Sequence, residues 1–441
     1  MTKIGFISLG CSKNLVDTEV MLRTLYDAGF ELTPDASEAE IIVVNTCGFI
    51  ESAKQEAIDN ILDVARLKEE GNLRYIIATG CLVERYREEV MRELPEIDAL
   101  IGVGSLSHIA EAAQAVMRGE KYISFDDKEQ SPLGGERILT TEEHTAYLKI
   151  AEGCDNKCTY CAIPLIRGRM RSRSIEDIVK EARELEALGV KELNLIAQDT
   201  SRYGLDLYGK YALAELVRAI TDNTNIPWIR LLYCYPDKIT DELIEELRVN
   251  PRLLKYMDIP IQHISDNVLV AMNRHGGSEL IRETVKRLRE RVPGIVLRTT
   301  AMVGFPGETE EDFEKLCEFL KEAKFEHFGA FTYSPEEGTA AAELEQTVDE
   351  QTKQDRYDIL MQTQFTVNEE NIQQYIGKTL AVLVDGFDEV AEVYYARSFA
   401  DAPDVDGKVY FESERKILPG EFVNVEITKA LDYDLVGEIV E

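Results

Sequence analysis

Three cysteines in one short loop constrain this chain more than any other feature. Cys154, Cys158 and Cys161 have the spacing C-x3-C-x2-C and follow an apolar segment at 146–150 that is typical of a short buried strand. A four-iron cluster takes a thiolate at each iron, so three thiolates leave one iron open for a small molecule. The spacing therefore predicts a catalytic cluster where a strand ends. The alternative is a three-cysteine zinc knuckle completed by a histidine such as His144.

The size and composition of the chain are those of a large globular protein. It has 441 residues, of which 44% are hydrophobic, enough for about three domains with ample core. No apolar run reaches about 18 residues, and the first residues lead directly into a strand, so the sequence predicts neither a membrane span nor a signal peptide. We therefore expect a cytoplasmic protein without a membrane partner. In that reducing compartment, the eight cysteines are expected to be ligands or buried thiols rather than disulfides.

The charge of the chain is strongly acidic. There are 82 acidic and 49 basic side chains, which gives a net charge of −33. Proteins that bind nucleic acid are usually basic or carry a basic face. The charge therefore favours a basic partner, with solubility alone as the alternative.

A second set of cysteines lies in the first part of the chain. Residues 1–120 alternate strand-like and helix-like segments, which predicts a parallel sheet. Cys11, Cys47 and Cys81 each come just after one of these strands, and two of them follow a glycine. The carboxyl ends of parallel strands share one edge, where ligands bind, so these thiols are expected to converge on a second metal cluster. The alternative for each is a buried thiol that behaves as a small hydrophobe.

The rest of the chain divides into a linker and two further domains. The polar segment 121–143 contains glycine and proline and is predicted to be a linker. Residues 144–373 contain six strand–helix units, which predicts a partial (β/α)6 barrel of the TIM type with its site at the strand ends. Residues 374–441 contain short strands separated by turn residues, which predicts a small antiparallel β-barrel. The predicted fold class is thus a multidomain α/β protein with a small C-terminal barrel.

Polar and glycine residues near the predicted strand ends are candidates for holding a polar cofactor. Gln198 and Gln262 end two strands, Arg298 lies on a third, and Gly304 begins a glycine-containing turn after it. Tyr160 precedes the last cysteine of the loop and is placed to lie against a ligand of the open iron. The alternatives are local packing for Tyr160 and an ordinary turn at Gly304.

Two clusters of charged residues lead to surface predictions. Every second residue from Arg167 to Arg173 is an arginine, and we interpret this run as a solvated rim rather than a carboxylate-binding site. Asp401, Asp404 and Asp406 lie beside proline and glycine, which predicts an exposed turn. We expect this acidic turn to dock a basic partner, with an idle solvated loop as the alternative.

The two cysteine triads and the order of the domains resemble the methylthiotransferase family of radical S-adenosylmethionine (SAM) enzymes over essentially the full chain. In that family, an N-terminal domain with an auxiliary cluster precedes a radical-SAM barrel and a C-terminal TRAM barrel. The resemblance implies SAM, an electron donor such as flavodoxin or ferredoxin, and no catalytic residue beyond the cluster ligands. It also implies two 4Fe-4S clusters, one held by Cys11, Cys47 and Cys81 and the other by Cys154, Cys158 and Cys161.

Three stretches, at 9–17, 197–201 and 261–265, resemble the branch of the family that modifies a ribosomal protein. The branches that modify tRNA adenosine usually read Cys-Gln-Met-Asn and Gln-Ser-Gly-Ser at two of these places, and neither sequence is present. The resemblance implies addition of a methylthio group to the β-carbon of an aspartate in small-subunit ribosomal protein S-twelve, free or within the subunit. It implies that a SAM-derived radical removes the hydrogen and that the auxiliary cluster supplies the sulfur, whose origin stays open.

The charge of the last domain bears on the choice of partner. Residues 374–441 carry 15 acidic and 6 basic side chains, a net charge of −9. An RNA-binding barrel needs cations to displace counterions from phosphates, so this barrel favours a basic protein over tRNA. The alternatives are a tRNA adenosine methylthiotransferase and a non-catalytic iron–sulfur protein that binds the ribosome.

Overall fold

The computed structural model describes residues 2–440, and its first unit is a parallel sheet between helices. The elements of this unit are β1 (Lys3–Ser8), α1 (Ser12–Asp27), β2 (Glu31–Leu32), β3 (Ile41–Thr46), α2 (Glu51–Glu70), β4 (Tyr75–Gly80), α3 (Cys81–Arg85), α4 (Arg87–Glu93), β5 (Ala99–Ile101), α5 (Ile109–Met117) and β6 (Tyr122–Ser124). The strand order is β2-β1-β3-β4-β5-β6. Strand β6 lies in the segment predicted to be a linker, so the sheet continues past residue 120.

Strand β3 shows why this sheet is buried on both faces. Ile42 and Val44 pack into one apolar cluster, and Ile41 and Val43 pack into another on the opposite face. Successive side chains of a strand point to opposite faces, so an unbroken apolar run requires cover on both sides.

The second unit is the six-stranded partial barrel that the sequence predicted. Its elements are β7 (Thr145–Lys149), β8 (Ala151–Glu152), α6 (Ile163–Arg167), β9 (Arg171–Ser172), α7 (Ile175–Ala187), β10 (Glu192–Ile196), α8 (Leu205–Tyr208), α9 (Leu213–Asn223), β11 (Trp228–Leu231), α10 (Asp241–Val249), β12 (Leu253–Asp258), α11 (Asp266–Ala271), α12 (Gly277–Arg291), β13 (Val296–Val303), α13 (Glu310–Ala323), β14 (His327–Thr332) and α14 (Glu350–Ile372). The strands run parallel in the order β7-β10-β11-β12-β13-β14, with β8 and β9 paired separately. The prediction of a partial barrel is confirmed.

The third unit is a closed five-stranded barrel, as predicted. Its strands are β15 (Thr379–Asp388), β16 (Val393–Ser398), β17 (Val409–Glu412), β18 (Phe422–Leu431) and β19 (Asp434–Val440). They close in the order β15-β16-β17-β19-β18, and the contact between β17 and β19 is parallel whereas the others are antiparallel. Among residues 2–440, each helix is too short or too polar to cross a bilayer.

The small barrel packs against the amino-terminal ends of the large barrel's strands. Glu192, the first residue of β10, is fully buried and accepts a hydrogen bond of 2.9 Å from Arg230. Arg397 of β16 pairs with the other oxygen of the same carboxylate. Trp228, the first residue of β11, meets Phe422 of β18 edge to face with a centroid distance of 5.0 Å. Buried ion pairs and aromatic packing therefore join the two barrels.

The loop after β16 enters this interface, which overturns its prediction as an exposed docking turn. Asp401 is buried, and Asp406 accepts a 2.5 Å hydrogen bond from Arg298. Asp404 is exposed but accepts a hydrogen bond of 3.3 Å from Tyr147 of β7. The loop therefore covers the amino-terminal end of the large barrel. Arg298, predicted to contact a cofactor, is paired with the small barrel instead.

We expect the contact between the barrels to loosen in acid. Burial alone would raise the pKa of Glu192, but Arg397 and Arg230 outweigh it and hold that pKa below its ordinary value. The pKa of Asp406 is also lowered, because His327 and Arg298 outweigh the upward effect of its burial. A carboxyl with a lowered folded-state pKa stabilises the fold above its unfolded pKa, and that stability is lost as the pH falls below about 4.

Trp228 provides the measurement, because it is the single tryptophan and lies at this interface. Its fluorescence is expected to be constant near neutral pH and to change in an acid transition below about pH 4. The expectation is contradicted if the same transition occurs at the same pH in a Glu192→Gln variant and in the native chain, because that variant lacks a carboxyl on which the transition depends.

Candidate active site

The structure brings Cys11, Cys47 and Cys81 together at the carboxyl edge of the first sheet. Cys11 precedes α1, Cys47 follows β3, and Cys81 is the first residue of α3 directly after β4. Gly10 has φ +88°, and a Cβ placed there would lie 2.9 Å from the Cys47 sulfur. A Cβ at Gly48 would lie 2.6 Å from the α-carbon of Leu82. Glycine is therefore required at both positions for the loops to approach so closely.

The second triad lies at the matching edge of the large barrel. Cys154 follows β8, and the Cys161 amide donates a 3.1 Å hydrogen bond to the Cys158 carbonyl in the loop before α6. His144 lies before β7, at the opposite end of the strand, and its Nε2 is 2.9 Å from Asp385 of the small barrel. His144 therefore pairs with Asp385 at the far end of the strand, so it does not complete a zinc knuckle with the three cysteines.

Helix α6 connects the two triads. Ala162 and Ile166 form a small buried cluster with Cys81, so the segment after Cys161 packs directly on the other cysteine site. Arg167, at the end of α6, places Nη2 3.4 Å from the Cys81 sulfur. One short helix therefore joins the two cysteine sites.

The arginine run was wrongly predicted to be a solvated rim. The side chains of Arg167 and Arg173 are each only 3% exposed. Arg173 pairs with Glu181, whereas Arg169 is 79% exposed and alone fits the prediction fully. An arginine at every second position does not reveal which side chains are buried, because their carboxylate partners lie elsewhere in the chain.

A buried group of aromatic and basic residues adjoins the second triad, and only Tyr160 among them was predicted. Arg274 donates a hydrogen bond of 3.3 Å to the Tyr160 hydroxyl and stacks on Tyr235, with the guanidinium carbon 4.4 Å from the ring centroid. The Tyr235 hydroxyl lies 3.3 Å from the Cys158 sulfur. The position of Tyr235 just beyond strand β11 was the signal that could have found it.

The two predicted glutamines retain hydrogen-bonding capacity. Gln198 donates a 2.5 Å hydrogen bond to Glu152, and its side-chain oxygen is buried without a hydrogen-bond partner in the described chain. The side-chain oxygen of Gln262 is also buried without such a partner, and the backbone there is left-handed, with φ +70°. Buried polar atoms normally have a partner, so these oxygens fit the donors of a bound ligand.

Gly304 has a structural reason for being glycine. Its φ is +74°, and a Cβ there would lie 2.2 Å from a side-chain carbon of Lys353. Its amide donates a 2.9 Å hydrogen bond to Glu308, which fixes the turn after β13. The turn thus lies at a strand end, where the prediction put it.

The donor set fits iron–sulfur clusters. Among residues 2–440, no three cysteine, histidine or carboxylate side chains are grouped tightly enough for one metal ion. A four-iron cluster instead takes its thiolates on separate irons and so spreads them wider. Burial raises the pKa of Cys81, Cys154 and Cys161 to about 12, and coordination to a metal deprotonates such thiols outright. Each triad can therefore hold a cluster.

Three family models together match most of the chain. Residues 3–102 match the uncharacterized protein family UPF0004, residues 148–320 match the radical SAM superfamily, and residues 376–440 match the TRAM domain. These ranges correspond to the three units of the structure.

Solved structures share the arrangement of the fold at low sequence identity. The radical SAM methyltransferase TsrM from Kitasatospora setae is 15% identical, with a TM-score of 0.56 over 75% of this chain and 72% of that chain. The cobalamin-dependent SAM radical enzyme OxsB is 13% identical, with a TM-score of 0.53 over 84% of this chain and 56% of that chain. Both likenesses concern the fold alone.

Curated relatives match from end to end. A protein of Caldicellulosiruptor saccharolyticus named ribosomal protein uS12 methylthiotransferase RimO is 48% identical over 443 residues, covering 100% of both chains. A protein of the same name from Thermoanaerobacter sp. is 48% identical over 439 residues, covering 99% of this chain and 100% of its own. With this identity over its whole length and the radical-SAM barrel in place, the chain belongs to the RimO family of radical-SAM methylthiotransferases.

Proposed function

We propose that this enzyme adds a methylthio group to the β-carbon of an aspartate in small-subunit ribosomal protein uS12. The relatives that carry this name match the chain in full. The observation that carries the proposal is the pair of cysteine triads joined through α6, because it sets a radical-SAM site beside a second sulfur-rich site. A single carbon of the substrate can then reach both sites.

We propose that two 4Fe-4S clusters serve the reaction. Membership of the radical-SAM family implies SAM and one cluster, which Cys154, Cys158 and Cys161 would hold. Cys11, Cys47 and Cys81 would hold the second. When bound, SAM and the clusters supply a carbon-centred radical that can take hydrogen from an unactivated carbon, and the sulfur to be transferred.

The protein's own side chains would bind and orient the cofactor. The free side-chain oxygens of Gln198 and Gln262 can accept hydrogen bonds from amino or hydroxyl groups of SAM. Arg274 holds Tyr160 and Tyr235 against the loop that carries Cys158, and this apolar cover would exclude water. These contacts support binding and shielding rather than acid–base chemistry.

Charge supports a basic protein as the partner and gives no support to tRNA. The chain carries −33, so it attracts a basic ribosomal protein, free or within the subunit, and repels phosphates. We place the reaction in the cytoplasm, with a small electron carrier such as flavodoxin or ferredoxin as the reductant.

Iron content tests the proposal of two clusters. Anaerobically reconstituted protein is expected to bind about eight irons per chain, and about four after Cys11, Cys47 and Cys81 are all changed to alanine. Iron and sulfide assays with electron paramagnetic resonance provide the measurement. Iron content that is equal in the two proteins would contradict a second cluster.

The substrate is tested by mass spectrometry of uS12. Cells with the enzyme are expected to contain uS12 that carries a methylthio group on one aspartate, and cells without the enzyme are expected to contain unmodified uS12. Nucleoside analysis of tRNA from the same cells is the control. Unchanged uS12 together with a methylthioadenosine that depends on the enzyme would replace the proposal with tRNA modification.

A further inference from the structure

We propose that Arg167 is a positioning residue through which the radical-SAM barrel controls the second cluster. By donating a hydrogen bond to the Cys81 sulfur, it would hold that ligand in place and raise the reduction potential of the cluster. The inference rests on the proposed function, in that Cys81 is taken to be a cluster ligand.

The contact is direct and shielded from water. Nη2 of Arg167 lies 3.4 Å from the Cys81 sulfur and 3.1 Å from the side-chain oxygen of Asn14. Its side chain is only 3% exposed. Arginine keeps its charge in proteins, so this site presents a permanent cation to the thiolate. Hydrogen bonds to cluster sulfurs are among the factors that set reduction potentials.

The guanidinium is fixed by carboxylates from two domains. Nη1 lies 2.5 Å from Asp17 of α1 and 3.4 Å from Glu152 of β8. Lys149 of β7 lies 2.5 Å from Asp17 and 2.7 Å from Glu152, so two cations and two anions share one buried group. The four formal charges cancel, which offsets the cost of burying them, and the guanidinium is the member of the group that donates to the Cys81 sulfur.

The position of Arg167 links the two sites along the chain. It ends α6, which begins two residues after Cys161. Ala162 and Ile166 of the same segment pack on Cys81. One short helix therefore joins the loop of the radical-SAM triad to the cysteine of the other site.

The direction of the effect follows from charge. Reduction adds an electron, and a cation that donates to a ligand sulfur stabilises the more negative state. Removal of the guanidinium is therefore expected to lower the potential of the second cluster. A merely structural ion pair between the domains would leave that potential unchanged.

Arg137 offers a matched control. It is another arginine with a side chain 3% exposed at the contact between these domains, and it pairs with Glu19 of α1 at 2.8 Å and Glu181 of α7 at 3.0 Å. Its contacts in the described chain are to carboxylates rather than to a cysteine. Arg137→Met therefore removes an interface cation without touching a cluster ligand.

The experiment uses the full chain with Cys154, Cys158 and Cys161 changed to alanine, so that the second cluster is observed alone. Its potential is measured by a redox titration followed by electron paramagnetic resonance. We expect a lower potential, or loss of the cluster, in Arg167→Met and no change in Arg137→Met. In Arg167→Lys we expect the cluster to be retained at a lowered potential, because a lysine keeps the charge but lacks the forked reach of the guanidinium.

The outcomes separate the two proposals. If the parent with three alanines binds no iron, the proposal of a second cluster fails. If it binds a cluster whose potential is unchanged in Arg167→Met, the role of Arg167 is overturned. Equal cluster loss in Arg167→Met and Arg137→Met also overturns it, because the residue would then act only through the interface. Should Arg167→Met not fold, the potential of Arg167→Lys decides, and an unchanged value overturns the inference.

Discussion

Cys158→Ala is expected to abolish reductive cleavage of SAM, whereas Cys47→Ala is expected to retain cleavage and lose methylthio transfer. Cys158 belongs to the triad at the edge of the large barrel, and Cys47 belongs to the triad at the edge of the first sheet. Loss of an outer-shell partner already costs about 10- to 100-fold in activity at metal sites, so loss of a ligand should cost more than about 100-fold. The two variants therefore separate SAM cleavage from methylthio transfer.

The measurement follows 5′-deoxyadenosine and modified uS12 in the same anaerobic reaction. Cys317→Ala is the control, because Cys317 lies half-buried on α13 and is not in either triad. It is expected to retain both activities. Methylthiolated product formed at the native rate by Cys47→Ala would rule out the role of the second triad.

Glu192→Ala is expected to destabilise the protein by about 3–5 kcal/mol, since it breaks a buried ion pair by removing one partner. The carboxylate of Glu192 is fully buried and binds Arg230 on one side and Arg397 on the other. Its loss leaves Arg230 without a carboxylate partner in the described chain and leaves Arg397 with Asp385 alone. The small barrel is therefore expected to separate first.

Denaturant unfolding followed by Trp228 fluorescence measures this effect, because Trp228 lies at the same contact. Glu184→Ala is the comparison, since Glu184 forms an exposed pair with Lys180 at 3.7 Å. Such surface pairs contribute only about 0–1 kcal/mol. Equal losses of stability in the two variants would show that burial does not determine the contribution of Glu192.

Local sequence patterns were sufficient to predict much of the fold. Alternating strands and helices indicated both parallel sheets, because two consecutive parallel strands need a crossover connection, which is usually a helix. Closely spaced turn residues indicated the small closed barrel. Strand β6 was missed because its three residues, Tyr122–Ser124, are too short to show a period.

Contacts that join distant segments were not predictable in the same way. Asp406 lies among turn residues, yet it is bound to Arg298, 108 positions earlier. Tyr235 and Arg274 each look ordinary in sequence, and only the folded barrel brings them to Tyr160 and Cys158.

The chemistry can be inferred from the amino-acid sequence alone: two sets of three cysteines, each at the end of a strand, with glycine where the backbone of the first set must come close. Such features are local, because each cysteine of the first set is recognised by the strand before it, and Cys154, Cys158 and Cys161 lie in one loop. Which charged side chains are buried, in contrast, depends on contacts that form in the folded chain. In the sequence, Arg167 is predicted to be a surface residue. In the fold it is buried beside Cys81, where Asp17, 150 positions away, balances its charge. Burying a charge is costly unless an opposite charge accompanies it, and that partner is supplied by the fold.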